Sequence, residues 1–325
     1  MLYTTLGNTG IRVSRLCLGS VQFHMQTGVS DTHRILDRAL DLGVNFIDTA
    51  DIYDNGAVEE YIGGWLPAHR QQVVLATKVR GRMGPSPNDT GLNRVHIMQA
   101  VEDSLRRLHT DYIDLYQMHA PDPSTPVEVT LRALDDLVHQ GKVRAIGCSN
   151  YAAWELCKSL WVSDRRNLVR FESVQPRYNL LAREIEAELL PLCLSEGVGV
   201  IPYNPLAGGL LSGKHRWGEP VAPGTRFAVR ADLYKARYWH EATLQAVERL
   251  KPVAQAAGRS LAQYAIAWVL HHPAITSAIA GATSKAQLDE NVLAVDKPLS
   301  DEEHMAGCLA SAGAVSGPST GPRND

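Results

Sequence analysis

The feature that most constrains this chain is a rhythm in which short, nearly continuous apolar runs alternate with stretches of helical periodicity, eight times over. Unbroken apolar runs suit strands covered on both faces. Apolar residues recurring every three to four positions suit helices with one buried side. Strands are predicted over residues 16–19, 45–48, 73–78, 112–118, 143–148, 171–174, 199–203 and 277–280. Helices are predicted over 31–42, 58–66, 93–108, 126–139, 152–162, 184–194, 243–257, 261–270 and 285–295. No linker or composition shift divides the series, so the expected fold is α/β, a (β/α)8 TIM barrel closed by right-handed crossovers.

Three segments fall outside the rhythm. Residues 2–13 read as a β-hairpin turning at Gly7-Asn8-Thr9-Gly10, a lid on one end of the barrel. Residues 205–238 are too long for an ordinary strand-to-helix loop and are expected to serve function at the carboxyl face of the barrel. Residues 311–325, rich in Gly, Ser and Pro, are expected to form a flexible tail beyond a single domain at 1–310.

Several function classes drop out. A formal net charge of -3 with dispersed Lys and Arg gives no basic field, so no nucleic-acid partner is expected. No apolar run reaches the ~18 residues of a membrane span, and the first residues lack a basic segment leading into an apolar one. A soluble, cytoplasmic protein is therefore expected. The 5 cysteines are odd in number and lack a C-x-x-C spacing, which argues against a disulfide framework or zinc ribbon. No His-x-His pair closes a strand, so no metal site is expected. The tripeptide Asn88-Asp89-Thr90 matches a glycosylation acceptor but needs a secretory route, and it is discounted.

In a barrel the carboxyl ends of the strands converge on one face. Asp48 closes the second predicted strand, Lys78 the third and His119 the fourth, while Tyr53 follows Asp48 in a loop that can fold back over the mouth. Reducing a carbonyl by hydride leaves an alkoxide, which needs a proton and a stabilising donor. Tyrosine is a weak acid, with an ordinary pKa of ~10. An adjacent Lys78 ammonium is expected to lower it, with Asp48 orienting the lysine and His119 donating to the substrate oxygen.

The run Gly208–Lys214 mimics a phosphate loop, but His215 stands where Ser or Thr would bind magnesium, so a nucleotide-hydrolysing reading fails. No G-x-G-x-x-G follows a strand, which argues against a Rossmann dehydrogenase.

The segments Asn45–Tyr53, Leu75–Lys78, Asp114–His119, Gly141–Asn150, Gln175–Leu180, Tyr203–Lys214 and Gly281–Asn291 together closely resemble the aldo-keto reductase family, across residues 2 to 296. The resemblance implies a catalytic tetrad of Asp48, Tyr53, Lys78 and His119, with Tyr53 as proton donor. It implies that Ser149, Asn150 and Gln175 hold a nicotinamide carboxamide and that Tyr203 stacks on the ring. Further cofactor positions are Ser20, Asn204, Pro205, Leu206, Gly208, Lys214, Gly281, Thr283, Lys285, Gln287, Glu290 and Asn291. One branch of the family grips the extra phosphate of NADPH with a Lys and an Arg where this chain has Gly281 and Gln287. Arg226 is then the first candidate for that phosphate, with Lys214 and Lys285 behind it. NADPH is the expected cofactor and NADH the alternative. The implied substrate is a small aldehyde or ketone, in a pocket from 20–28, 81–91 and 217–238 with Phe23, His24 and Trp217 as walls. The resemblance extends to potassium-channel β subunits, which implies a second reading as a cofactor-binding regulatory subunit. Oligomeric state is not legible.

Overall fold

Every predicted apolar run contributes a strand to one sheet. The computed structural model describes residues 1–317. The hairpin is β1 (Tyr3–Thr5) paired antiparallel with β2 (Arg12–Ser14). The sheet strands are β3 (Leu16–Gly19), β4 (Phe46–Asp48), β5 (Val74–Val79), β6 (Ile113–Met118), β7 (Val143–Ser149), β8 (Phe171–Gln175), β9 (Gly199–Val200) and β10 (Ala278–Gly281). They run parallel in the order β10-β3-β4-β5-β6-β7-β8-β9. Parallel bridges Val200 to Ile275 and Tyr203 to Ile279 join the two ends, which makes the (β/α)8 barrel.

Helices α1 (Val29–Asp41), α2 (Ala57–Gly63), α3 (Arg94–Leu108), α4 (Val127–His139), α5 (Ala153–Arg166) and α6 (Leu189–Glu196) each return the chain to the next strand. Beyond β9 come α7 (Arg226–Val229), α8 (Ala231–Tyr238), α9 (Glu241–Ala256), α10 (Leu261–His271), α11 (Lys285–Asp296) and α12 (Asp301–Ala310). Among the described residues no helix is long and apolar enough to cross a membrane.

Side chains alternate across a strand, so each strand gives one set to the barrel axis and one to the helices. Cys17, Phe46, Ala76, Leu115, Ala145, Ile201 and Ile279 form a buried plug on the axis, closed below by Leu6 and Val13 of the hairpin. Two residues further along five of these strands or their extensions lie Asp48, Lys78, Gln117, Tyr203 and Gly281. The apolar plug is thus the floor under a polar layer.

Some expectations need correcting. The strand expected over 199–203 ends at Val200, because Pro202 has no N–H for the ladder; the chain stays extended, and Ile279 N donates to Pro202 O at 2.9 Å. The helix expected over 184–194 splits into a 3-10 turn, Glu184–Glu186, and α6, because a proline is accepted only in the first turn and Pro191 is the third residue of α6. The long segment 205–238 holds α7 and α8, whose buried face of Tyr234, Arg237 and Tyr238 is not an apolar stripe and gave no helical signal. Helix α12 was not anticipated, although its capping box was legible: Ser300 Oγ accepts from Glu303 N and Glu303 Oε2 accepts from Ser300 N.

Of the expected tail, residues 318–325 lie outside the described residues. Residues 311–317 are tied down: Thr243 Oγ1 donates to Val315 O, Arg249 Nη2 to Ala312 O at 2.8 Å, and Gly317 N to Arg237 O at 2.9 Å.

The hairpin turn demands glycine at residue 7, where φ is +51° and an added Cβ would stand 2.2 Å from Glu172 O on β8. Gly7→Ala is expected to cost about 1 to 3 kcal/mol of stability. Urea unfolding of both proteins measures it, and an unchanged midpoint refutes the packing role of the turn.

Candidate active site

Lys78 projects from β5 onto the axis and is fully buried. A buried ammonium needs a counter-charge and hydrogen-bond acceptors. Asp48, at the end of β4, supplies Oδ2 at 2.6 Å, Thr49 supplies its carbonyl at 2.8 Å, and the Tyr53 hydroxyl lies at 3.3 Å. The other carboxylate oxygen of Asp48 is also engaged. Gln117 Nε2 on β6 donates to Oδ1 at 3.1 Å and Gln175 Nε2 on β8 donates at 2.8 Å. Gln117 was not singled out in the sequence, although its signal was present in the inward alternation Leu115, Gln117, His119.

Tyr53 opens a 3-10 turn, Tyr53–Gly56, which carries its partly buried phenol over the mouth. Its ring meets His119 edge to face, with centroids 5.8 Å apart and planes at 76°. Burial raises the phenol pKa, and the pull of Lys78 in the other direction does not cancel the rise, to which Asp48 adds. Lys78 thus pulls the value down as expected, but the expected net lowering is corrected: burial wins and Tyr53 is held protonated. Burial also weighs against the Lys78 ammonium, but Asp48 and Tyr53 outweigh it and its pKa is raised. For His119, burial followed by the charges of Lys78 and Arg80 brings the pKa down to about 3, so the imidazole is neutral at ordinary pH.

These groups open into a cavity of about 1120 Å³. It is lined by Ser20, Asp48, Tyr53, His119, Ser149, Asn150, Gln175, Tyr203, Asn204, Pro205, Leu206, Gly208, Lys214, Arg226, Gly281, Thr283, Gln287, Glu290 and Asn291. The sequence-predicted residues thus come together, with two absent from the lining: Lys78 lies buried behind Asp48 and Tyr53, to which it bonds. Lys285, at the start of α11, is the other. The expected walls Phe23, His24 and Trp217 are also absent from the lining. Phe23 is fully buried in the core, His24 pairs with Asp54 and meets Tyr61, and Trp217 is exposed. Ile52, Arg80, Pro121, Leu233 and Tyr234 stand there instead.

One wall is a hydrogen-bonded relay. Ser149 Oγ donates to Gln175 O at 2.8 Å, Asn150 Nδ2 donates to His119 O at 3.0 Å, and Tyr203 OH donates to Asn150 Oδ1 at 2.9 Å. Asn150 and Asn204 both adopt left-handed backbone, with φ of 61° and 64°, a conformation asparagine tolerates. Gly208 is left-handed too, and an added Cβ would lie 2.3 Å from the Tyr234 ring. That close approach sets Tyr234 under Arg226, whose Nη1 donates to the Tyr234 hydroxyl at 3.2 Å. Arg226 Nη2 stands 3.3 Å from where a Cβ on Gly281 would be, so the bare glycine leaves room for the guanidinium. Gln287 Oε1 accepts from Thr283 N at 2.9 Å, and Asn291 Nδ2 donates to Gly281 O at 3.3 Å. Ser20 Oγ and Asn204 Nδ2 are buried with no hydrogen-bond partner among the described residues. Orphaned polar atoms on a cavity wall fit a ligand rich in amide and phosphate groups, as a nicotinamide dinucleotide is.

Breaking the buried pair from either side is expected to destabilise the protein. Asp48→Asn and Lys78→Met each leave one group uncompensated, a loss of about 3 to 5 kcal/mol, whereas the double variant Asp48→Asn with Lys78→Met recovers part of it. Denaturant titration of all four proteins measures the coupling, and simple additivity overturns the pairing.

A family model described as the aldo/keto reductase family matches residues 15–306. An uncharacterized oxidoreductase, YrpG of Bacillus subtilis, is 41% identical over 93% of this chain and 93% of its own length. A probable voltage-gated potassium channel subunit beta of Arabidopsis thaliana is 40% identical, covering 91% and 92%. The versiconal hemiacetal acetate reductase of Aspergillus parasiticus is 36% identical, covering 93% and 95%. With that match over nearly the whole barrel, the chain belongs to the aldo/keto reductase family of oxidoreductases.

Proposed function

We propose that this chain reduces an aldehyde or ketone to an alcohol, with Tyr53 as proton donor and NADPH as cofactor. The observation that carries the reading is the buried Lys78 ammonium, bonded to Asp48 at 2.6 Å and reaching the Tyr53 hydroxyl at 3.3 Å. The bound nicotinamide supplies the hydride. The chain supplies the rest. Tyr53 presents its proton to the carbonyl oxygen, and the phenolate left behind is stabilised by Lys78, whose own charge is matched by Asp48. His119 is neutral, so one ring nitrogen can donate to the same oxygen. Ser149, Asn150 and Gln175 would orient the carboxamide, Tyr203 would cover the ring, and Gly208 to Lys214 would cradle the pyrophosphate. The resemblance to proteins named as channel β subunits supports a second reading, a slow cofactor-binding regulatory subunit.

Tyr53→Phe is expected to lower turnover by at least ~10²-fold with cofactor binding nearly intact. The pH dependence follows from the same groups. Tyr53 must be protonated and is held so above the ordinary ~10, while His119 ionises only near 3. The reduction rate is therefore expected to stay level from about pH 6 to about pH 10 and to fall only above that as Tyr53 loses its proton. Steady-state assays across an aldehyde panel test both. Near wild-type turnover in Tyr53→Phe rejects the acid assignment, and very slow turnover on every substrate favours the regulatory reading.

Cofactor choice rests on Arg226 in this proposal. Arg226→Ala is expected to weaken NADPH binding about ten- to a hundredfold, the scale of a charge-assisted pair, with NADH little affected. Equal, small changes in the two dissociation constants rule Arg226 out as the phosphate reader.

A further inference from the structure

Two residues beyond Lys78, the cavity wall carries a cation that neither the proton relay nor the cofactor reading uses. Arg80 lines the cavity beside Gly81, His119 and Pro121. Its backbone is fixed, since its carbonyl accepts from Gly91 N at 2.9 Å and Thr90 Oγ1 at 3.3 Å. Its Nε donates to Pro121 O at 3.1 Å. No hydrogen bond or ion pair reaches Nη1 or Nη2 among the described residues.

The neighbouring carboxylates are already engaged. Asp122 accepts from Leu92 N at 2.7 Å, Ser124 Oγ at 2.6 Å and Thr125 Oγ1 at 2.8 Å. Glu155 accepts from Ala152 N at 2.9 Å, and Glu184 pairs with Arg177. Arg82, the next cation in sequence, turns Nη1 into its own loop, onto Gly84 O and Ser86 O, and does not line the cavity. Arg80 therefore keeps a positive charge on the wall with its two terminal nitrogens unclaimed. Its charge reaches His119, where it adds to burial and Lys78 in disfavouring the imidazolium. The cation thus stands on the side of the cavity where the carbonyl would meet Tyr53 and His119.

We propose that Arg80 reads a carboxylate on the substrate, so that the carbonyl compounds this site takes are small aldehydes or ketones bearing one carboxylate. This rests on the carbonyl-reducing reading above. Two terminal guanidinium nitrogens form a planar fork that matches two carboxylate oxygens. One positive charge suits a monoanion better than a phosphate dianion, because Arg82, the next cation in sequence, does not line the cavity. The engaged Nε holds the fork in place before substrate arrives, which reduces the ordering cost of binding.

The test compares kcat/KM for 4-carboxybenzaldehyde, its neutral amide 4-formylbenzamide, and 4-formylphenyl phosphate, in wild type, Arg80→Gln and Arg80→Glu. The expected acid-to-amide ratio in wild type is about tenfold or more, the scale of a charge-assisted bond. It should fall at least about tenfold in Arg80→Gln and below one in Arg80→Glu. A wild-type ratio near one, or a ratio unmoved by Arg80→Gln, overturns the proposal, and a preference for the phosphate overturns the choice of carboxylate. Calorimetric binding of 4-(hydroxymethyl)benzoate against its amide, with and without NADP+, reads the same preference without turnover. If no aldehyde is reduced, the carbonyl reading falls while the binding ratio still decides Arg80. Unchanged circular dichroism shows that each variant is folded.

Discussion

An ammonium ion with no access to water is the constraint on which the rest of this molecule turns. Lys78 is tolerable on the barrel axis because Asp48, the Thr49 carbonyl and the Tyr53 hydroxyl surround it. Asp48 is in turn held by Gln117 and Gln175, so the charge ties together β4, β5, β6 and β8. The sheet has to curl for residues so far apart in sequence to meet. The lone charge and the closed fold thus require each other: without curvature the partners are out of reach, and without partners the axis would reject the charge.

The alternation of a strand explains how one short sequence step turns structure into chemistry. Phe46 and Ala76 fill the plug; two residues on, Asp48 and Lys78 stand above it. The same step takes Leu115 to Gln117 and then to His119. The apolar layer keeps water from approaching from below, which strengthens every charge interaction in the layer above. The mouth is completed by segments that are not part of the repeat, chiefly the turn at Gly208 and the helices carrying Arg226 and Tyr234.

Much of this was legible in the sequence. The eight strands follow from apolar runs, and Asp48, Tyr53, Lys78 and His119 could be placed because strand ends converge in a barrel. What was not legible depends on contacts distant in sequence. Phe23 was a candidate wall by its place in the 20–28 segment; its burial is decided by what packs around it. The direction of the Tyr53 shift could not be read from its neighbours, because burial outweighs the nearby ammonium. Helix α8 buries tyrosines and an arginine, so its pattern carries no apolar stripe. Helix α12 is a different case: Ser300 and Glu303 stood at capping distance and gave a local signal.

The segment 311–317 ties the far end of the described chain to the roof of the cavity. Its bonds run to Thr243 and to the carbonyl of Arg237, a residue of α8 that itself lines the cavity. A strap of this kind makes residues 311–317 mechanically continuous with the active-site wall. Cutting the chain after Ala310, or pulling on it through a bulky fusion partner, acts on the same helix that carries Tyr234 and Arg237.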